Sequence, residues 1–427
     1  MQFARARSLA TLTTLSIALT GCVGTGTTAP APERAPEGTV TDPASARGAS
    51  GDVTICGHRD TGVFKTLTDS FNARATGVTA RYVELGQDTD ITRAQAIQRL
   101  EGGSAECDLY LMDVTWTGEW AAQSWVQDQS RLVEQRGDDL IPSTLDTARY
   151  DGRHWGTPFY TNAGLMFYRS DRVPPPTTWK QVYEQARLHP QNQVEMQAKQ
   201  YEGLTVNFLE MLYSAGGSVL DERGGITVDS PQTRAVLTTM AEGIRSGAVD
   251  RASLTYEEDG SRRAYESGAA GQLRQWPSAY KLIQQTGAGP ATAVAPLPAF
   301  DEHTRPAAVL GGWNLAIAAS SDNTGGAVAL IDYATSAEFQ KTMAVKHAQA
   351  PVVASVYDNP EVRAKIPFID QLRQSVLSAK PRPKSSVYAQ ISKAIHSNVY
   401  PVLAGEVDVE TAVRKMAADI KTAQETF

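Results

Sequence analysis

The chain has 427 residues, and its 40 Lys and Arg against 47 Asp and Glu give a formal net charge of −7. Because a single hydrophobic core stops growing at roughly 250–300 residues, this length predicts two lobes. Hydrophobic residues make up 41% and charged residues 20% of the chain, as in an ordinary globular protein. The acidic balance argues against nucleic acid or an anionic membrane surface as the main partner.

The first 22 residues have the layout of an export signal. "MQFARARS" is positively charged, and "LATLTTLSIAL" is an apolar stretch far shorter than the ~20 residues of a membrane-spanning helix. The segment closes on Leu19-Thr20-Gly21-Cys22, which resembles the bacterial lipobox. That motif predicts lipidation of Cys22 and a protein anchored at the extracellular face of the cytoplasmic membrane. A plain secretory signal with an incidental cysteine is the alternative.

Residues 23–51 contain no aromatic residue and are dense in Gly, Pro, Ala, Ser and Thr. Such a segment buries too little apolar area to fold, so it is predicted to be a flexible tether. In an exported protein a disulfide between Cys56 and Cys107 is allowed. Both cysteines fall in apparent parallel strands, where the bridging geometry is often poor, so the sequence leaves their pairing open.

Strand and helix patterns alternate after the tether. Strand-like "GDVTICG", "VTARYVEL" and "CDLYLMDV" are separated by "TGVFKTLTDSFNARA" and "DITRAQAIQRLEGG", which have helical spacing. This order predicts an α/β lobe with a parallel sheet. Ligands of such sheets bind beyond the carboxyl ends of the strands. Candidate site residues therefore lie within 57–61, 86–90 and 113–116.

The second half of the chain starts with another strand, at 164–168, which the prolines at 174–176 end. Thr177 or Thr178 is then predicted to cap a helix that contains Trp179. Residues 200–300 are mostly helical, and "VAPLPAF" returns as a short strand. From "VLGGWNLAIAASS" the α/β pattern resumes, and roughly the last 70 residues are helical by their spacing.

"GTPFYTNAGLMFYRSD" resembles the signature segment of family 1 extracellular solute-binding proteins, the receptors of bacterial ABC importers. "GGWNLAI" and "KPRPKSSVYAQIS" are similar to segments of carbohydrate-binding members, most closely actinobacterial lipoproteins for trehalose and related disaccharides. The resemblance implies a two-lobed α/β fold of the periplasmic-binding-protein type II class. Each lobe is then a mainly parallel sheet flanked by helices, with the ligand cleft between the lobes.

The resemblance also implies the division of the chain. The N-lobe is expected at 51–160 and 309–350, and the C-lobe at 161–308 and 351–427, with "YTNAG" and "LGGWN" at the first two crossings. The implied partners are a small carbohydrate and the transmembrane and ATPase subunits of an importer. A monomer without cofactor or metal is expected.

Recognition of a sugar requires hydrogen-bonding groups for its hydroxyls and aromatic rings for its C–H faces. The sequence is equally compatible with Trp116 in the lobe core and with Trp116 at the cleft. For Trp313 the alternative to a cleft position is a buried position at the start of a strand. Pro277 holds the backbone of Trp276 in an extended conformation. The prolines on either side of Arg382 restrict its backbone, which lowers the entropy lost on binding a ligand. Related sugar binders have an acid at the position of Asp113 and an arginine at the position of Arg382, and both contact the solute. The predicted ligand-binding residues are Arg59, Asp60, Gln87, Asp113, Trp116, Tyr160, Asn162, Trp276, Gly312, Trp313 and Arg382.

An enzyme is the rival class. A glycoside hydrolase needs two carboxylates beside the scissile bond, at a separation that no sequence reveals. HExxH and G-x-S-x-G motifs and a cysteine–histidine ligand cluster are missing from the sequence, which favours binding over catalysis. The expected ligand is trehalose or a related glucoside. Maltooligosaccharides and glycerol phosphates are the alternatives. A site for a phosphate group would contain more positively charged side chains than the predicted ligand-binding residues include.

Overall fold

The computed structural model describes residues 38–59, 61–86, 88–136, 139–221 and 223–426, all within the compact unit Arg34–Phe427. Three predicted functional residues, Cys22, Asp60 and Gln87, lie outside the described residues. In the described ranges no helix combines the length and the apolar character that crossing a membrane requires.

The strands β1 to β12 span Gly51–His58, Val78–Gly86, Leu109–Asp113, Arg149–Tyr150, Arg153–His154, Thr157–Ala163, Leu165–Arg169, Val194–Glu195, Gln272–Gln275, Thr292–Pro296, Leu310–Ile317 and Ala350–Pro351. The helices α1 to α16 span Val63–Asn72, Thr89–Glu101, Thr117–Ala122, Ser130–Glu134, Pro142–Thr147, Trp179–Leu188, Glu202–Ser214, Pro231–Arg245, Glu258–Glu266, Ala279–Ile283, Thr324–Ala334, Ala337–His347, Pro360–Lys365, Ile369–Ser378, Tyr388–Ala404 and Val409–Glu425.

The N-lobe is built on a six-stranded sheet in the order β12-β6-β11-β3-β1-β2. Strands β1, β2 and β3 pair in parallel and alternate with α1 and α2, which confirms the predicted α/β pattern. Strand β11 pairs antiparallel with β3 and β6, and β12 pairs antiparallel with β6. The sheet is therefore mixed, because antiparallel strands enter where the chain returns from the other lobe.

The C-lobe is built on a four-stranded sheet in the order β10-β7-β9-β8. Only Gly164 separates β6 of the first sheet from β7 of the second. Helix α6 follows β7, and Thr178 caps it because its hydroxyl accepts a hydrogen bond from the Gln181 amide at 3.2 Å. Two sheets in two lobes confirm the predicted two-lobed α/β fold. The expectation of mainly parallel sheets is wrong for the C-lobe, because β7 pairs antiparallel with both β10 and β9, while β8 pairs parallel with β9. The residue boundaries of the lobes stay a prediction. Strands β6 and β12 of the N-lobe sheet extend to Ala163 and Pro351, beyond the predicted N-lobe ends at 160 and 350.

The two cores differ in composition. The N-lobe core is rich in aromatic side chains, including Phe64, Trp120 and Phe159. The C-lobe core contains α7, buried along its whole length, and an ion pair between Arg274 and Glu210 that is only 1% and 2% exposed. Burying a charge is costly unless it is paired, so each of these two side chains depends on the other for its place in the C-lobe core.

Residues 38–50 correct the predicted tether, because they pack on the N-lobe. The Thr41 amide donates to the Asp128 carbonyl at 2.8 Å, and the Thr41 hydroxyl donates to Gln127 Oε1 at 3.1 Å. Pro43–Ala46 form a short 3-10 helix after these contacts. Composition missed this packing because hydrogen bonds to distant residues and contacts of the small Ala46 and Ala49 side chains hold the segment, without any large apolar residue.

A disulfide joins Cys56 on β1 to Cys107, whose Cα atoms are 5.8 Å apart. Cys107 lies before the first residue of β3, Leu109, so a parallel ladder does not fix its position. A Cα separation of this size suits a bridge. The pairing that the sequence left open is therefore formed.

Candidate functional site

A cleft of about 1100 Å³ lies between the two lobes. It is lined from the N-lobe by the ends of β1 and β3 and by β6 and β11, and from the C-lobe by the first turn of α7, by α9 and by the end of β9. The carboxyl ends of β1 and β3 face this cleft, as expected for an α/β sheet. The predicted residues that line it are Arg59, Asp113, Tyr160, Asn162, Trp276, Gly312, Trp313 and Arg382.

Trp313 on β11 forms the centre of the N-lobe wall, where it pairs with Asp113 on β3 and Tyr160 on β6. It lines the cleft with only 8% of its surface exposed. The Trp116 ring packs edge-on against Trp313 with centroids 5.3 Å apart, and Trp120 stacks on Trp116 at the same separation. The predicted contact of Trp116 with ligand is therefore corrected: Trp116 is buried and supports the wall from behind.

His58 also lines this wall; it lies within the candidate range 57–61 but was not among the predicted ligand-binding residues. Its ring lies 4.7 Å from the Trp313 ring, and its Nδ1 lies 2.7 Å from the Arg59 carbonyl oxygen. Because a carbonyl only accepts, Nδ1 donates this bond, and Nε2 lies 2.8 Å from the Tyr160 hydroxyl oxygen. The position of His58 at the end of β1 could have indicated this role.

The two glycines before Trp313 are needed for different structural reasons. Gly312 has φ +132°, and a Cβ there would lie 2.4 Å from the Tyr160 carbonyl oxygen. A Cβ on Gly311 would lie 3.2 Å from Cη2 of Trp276. Gly312 is thus required by its backbone and by its close approach to β6, whereas Gly311 makes room for a tryptophan from the opposite lobe.

Trp276, half-buried at the end of β9, is the centre of the C-lobe wall. The Arg274 guanidinium lies 4.1 Å from the ring centroid, a cation–π contact. Arg274 in turn donates to both carboxylate oxygens of Glu210, at 2.8 and 2.5 Å. The indole Nε1 of Trp276 donates to Glu258 Oε1 at 3.4 Å. Burial raises the pKa of the Glu258 carboxyl, and hydrogen bonds from Tyr201 and Trp276 oppose this rise.

Gly164 lets the chain cross between the lobes directly over this ion pair. A Cβ at Gly164 would lie 2.2 Å from Glu210 Oε1 and 2.7 Å from Nη2 of Arg274. The position of Gly164 in the "YTNAG" segment therefore has no room for a side chain, because the ion pair of Arg274 and Glu210 lies directly beneath it.

Arg382 connects the two lobes at the inner end of the cleft. Its Nη2 donates to Asp113 Oδ1 at 3.1 Å and its Nη1 to Glu202 Oε1 at 2.7 Å. Glu202 also accepts from the Tyr388 hydroxyl at 2.6 Å and from Ser392. Burial lowers the pKa of Arg382, but Asp113, Tyr388 and Glu202 together raise it above the usual value, so the guanidinium stays charged. Its Nε has no partner among the described residues and is free to donate to a ligand.

At the mouth of the cleft an ion pair spans the two walls. Arg59 Nη1 lies 3.6 Å from Asp259 Oδ2 on α9, and both side chains are about half exposed. Over the described lining as a whole, acidic and basic side chains are equal in number. The cleft is therefore polar without a net charge that would select an ion.

The family model described as bacterial extracellular solute-binding protein matches residues 59–341. The chain belongs to this family. A probable ABC transporter-binding protein of Deinococcus radiodurans is 32% identical over 78% of this chain and 83% of its own length. The mannitol-binding protein of Pseudomonas aeruginosa is 26% identical over 67% of this chain and 69% of its own length. The family supplies the substrate-binding proteins of ABC transporters, so the rival assignment of this solute-binding protein as an enzyme is excluded.

Among solved structures, maltose-bound MalE3 of T. maritima has a TM-score of 0.82 to this solute-binding protein, with 28% sequence identity. The match covers 87% of this chain and 99% of that one. The similarity extends over both lobes, which agrees with the two-lobed fold class.

Proposed function

We propose that this solute-binding protein captures a disaccharide, trehalose or a related glucoside, between its lobes and delivers it to the permease of a bacterial ABC importer. The observation that carries the proposal is a pair of tryptophans from opposite lobes, Trp313 and Trp276, on the walls of one cleft whose described Asp and Glu side chains equal its Lys and Arg side chains in number. Maltose in the MalE3 structure supports a carbohydrate of this class.

The chemistry of the lining suits a sugar. Tryptophan rings cover the apolar C–H faces, and the polar groups between them serve the hydroxyls. Asp113 keeps Oδ2 as an acceptor, since its Oδ1 already accepts from Arg382 and from the amide and hydroxyl of Thr115. Arg382 offers its Nε as a donor, and Asn162 offers an amide that does both.

Closure of the lobes would be selected by the ligand. Two contacts already link the walls: Arg382 with Asp113 and Glu202 at the inner end, and Arg59 with Asp259 at the mouth. A solute that binds both walls stabilises the closed state relative to the open one. We further propose that the protein acts as a monomer tethered by a lipid on Cys22, at the extracellular face of the membrane.

A longer maltooligosaccharide is the second candidate, and the cleft volume favours it. At about 1100 Å³ the cleft exceeds the range of roughly 300–1,000 Å³ that is typical of small-molecule pockets. A glycerol phosphate is disfavoured because equal numbers of acidic and basic side chains line the cleft.

Calorimetric titration of the whole protein with trehalose, maltose, maltotetraose, mannitol and glycerol 3-phosphate tests the proposal. We expect saturable binding of a neutral carbohydrate at about micromolar Kd, and loss of binding in Trp276→Ala with the fold retained. Binding of glycerol phosphate alone, or of none of the five, contradicts the proposal. The anchor is tested separately, because Cys22→Ala should release the protein from membranes and unchanged partitioning would refute the lipid.

A further inference from the structure

Two amide side chains at the lobe crossings have hydrogen-bonding atoms that the protein does not use. Asn162 Oδ1 and Gln349 Oε1 are buried and accept no hydrogen bond within the part of the chain that the structure describes. Both residues line the cleft. Buried side-chain polar atoms nearly always have a partner, so two unpaired oxygens in one cleft call for an explanation.

The two amides are neighbours on adjacent strands. In the antiparallel pair of β12 with β6, Ala350 is opposite Thr161, so Gln349 comes opposite Asn162 one position further along. On its other side Asn162 pairs with Gly311 of β11. Directly opposite residues of an antiparallel pair have Cβ atoms about 4.5–5.5 Å apart. The two amides therefore reach into the same part of the cleft.

The backbone before Gln349 has a left-handed conformation that sets its direction. Helix α12 ends at His347, and Ala348 follows with φ +52°, in the left-handed region. A residue in this region is a common end of a helix, and here the Ala348 amide donates to the Ala344 carbonyl and the chain turns away from α12 before Gln349. After this turn Gln349 is 6% exposed, and yet its Oε1 accepts no hydrogen bond from a described group.

Gln340 on the same helix shows what a structural glutamine of this protein looks like. It is fully buried, and its Nε2 donates to the carbonyl oxygens of Phe159 and Ala334, each at 2.8 Å. Its Oε1 accepts from the Val352 amide at 2.9 Å. Both polar atoms of the Gln340 side chain therefore have hydrogen-bond partners within the protein, whereas Oε1 of Gln349 has none among the described residues.

We infer that Gln349 is a ligand-contacting residue which, together with Asn162, binds two adjacent hydroxyl groups of a neutral polyol or sugar. The inference rests on the proposed function. A carboxamide both donates and accepts without charge, so the pair suits a vicinal diol and gives no preference to a carboxylate or an ammonium group. Sequence reasoning found Asn162 but not Gln349, which is outside every motif.

The variant Gln349→Met keeps the length of the side chain and removes its hydrogen bonds. Titrations with trehalose, maltose and mannitol should show an affinity at least about 10-fold weaker than that of the unaltered protein, because a ligand hydroxyl loses its partner. Without ligand the melting temperature should be unchanged or higher, because no bond within the protein is lost. Gln340→Met is the matched control and should lower the melting temperature.

The outcomes separate this inference from the function on which it rests. If the unaltered protein binds one of the three ligands and Gln349→Met binds it equally well, the inference is overturned and the proposed function stands. A fall in melting temperature like that of Gln340→Met also overturns it, since Gln349 would then be structural. Binding of none of the three by the unaltered protein overturns the proposed function first, and this inference with it.

A double variant tests whether the two amides share one diol. For a shared diol, Asn162→Leu with Gln349→Met should lose less affinity than the product of the two single losses. A fully multiplicative loss contradicts a shared diol and leaves two separate contacts.

Discussion

The two walls of the cleft hold their tryptophans by different means. Trp313 of the N-lobe is packed against the rings of Trp116 and His58, on a core closed by a disulfide. Trp276 of the C-lobe rests on the guanidinium of Arg274, which depends on buried Glu210. Apolar packing is insensitive to the removal of a single charge, whereas a buried ion pair depends on both partners. The two tryptophans are therefore expected to lose their support through different kinds of substitution.

The largest effect is expected from breaking the ionic support. Arg274→Met leaves Glu210 buried without its partner and should lower the free energy of unfolding by about 3–5 kcal/mol, as measured by urea titration. The exposed pair of Arg245 and Glu242, 78% and 43% exposed, provides the control. Arg245→Met should cost less than about 1 kcal/mol. Equal losses in the two variants would show that the buried pair has no special role.

Replacing both partners sharpens this prediction. In the double variant Arg274→Met with Glu210→Gln the uncompensated charge is gone, and most of the lost stability should return. If the double variant is as unstable as Arg274→Met, packing of the long side chain, and not its charge, supports the C-lobe wall.

An intermediate effect is expected in the N-lobe. Cys56→Ser with Cys107→Ser opens a bridge across 51 positions of sequence and should cost about 2–4 kcal/mol, because the unfolded chain gains freedom. Thermal unfolding with and without a reductant checks this, since the reductant should affect only the protein that has the bridge. A reductant effect in the serine variant would contradict the assignment of the loss to the disulfide.

The smallest effect concerns pH and again belongs to the C-lobe. Burial, and then the nearby Asp250 carboxyl, raise the pKa of Glu195 from 4.5 to about 8. Between these values the folded state keeps a proton that the unfolded state has lost, so stability falls as pH rises. We expect a loss of about 2–3 kcal/mol between about pH 5 and about pH 7.

Glu195→Gln should flatten this dependence, because its amide stays neutral at every pH. Melting temperatures measured across the interval give the comparison, and exposed Glu184→Gln on α6 is the control that should keep the slope. A Glu195→Gln variant with the slope of the unaltered protein would show that Glu195 does not titrate in this range.

The sequence predicted what depends on local pattern. Strand and helix alternation identified β1 to β3, and the position of Asp113 at the end of a buried strand indicated the cleft. Trp276 was predicted from the proline after it. In each case the residues that carry the information are adjacent in the chain.

The features that were missed depend on pairing between distant segments. Glu202 lies at the cleft, bonded to Arg382, Tyr388 and Ser392, which are at least 180 positions away in the chain. Gln349 is set by the register of β12 with β6. Trp116 satisfied the local criterion for the cleft, but the strand-end position does not show that Trp313 of a later strand covers it. Register and long-range packing are absent from any local pattern.

Gly164 joins these observations at the point where the chain passes from one lobe to the other. The backbone there lies against the same ion pair that supports the Trp276 ring. A methyl group at Gly164 has no space unless Arg274 or Glu210 moves, and a shift of Arg274 would disturb its contact with the Trp276 ring. A side chain at Gly164, a residue outside the cleft lining, is therefore expected to change ligand affinity indirectly, through Arg274 and Trp276.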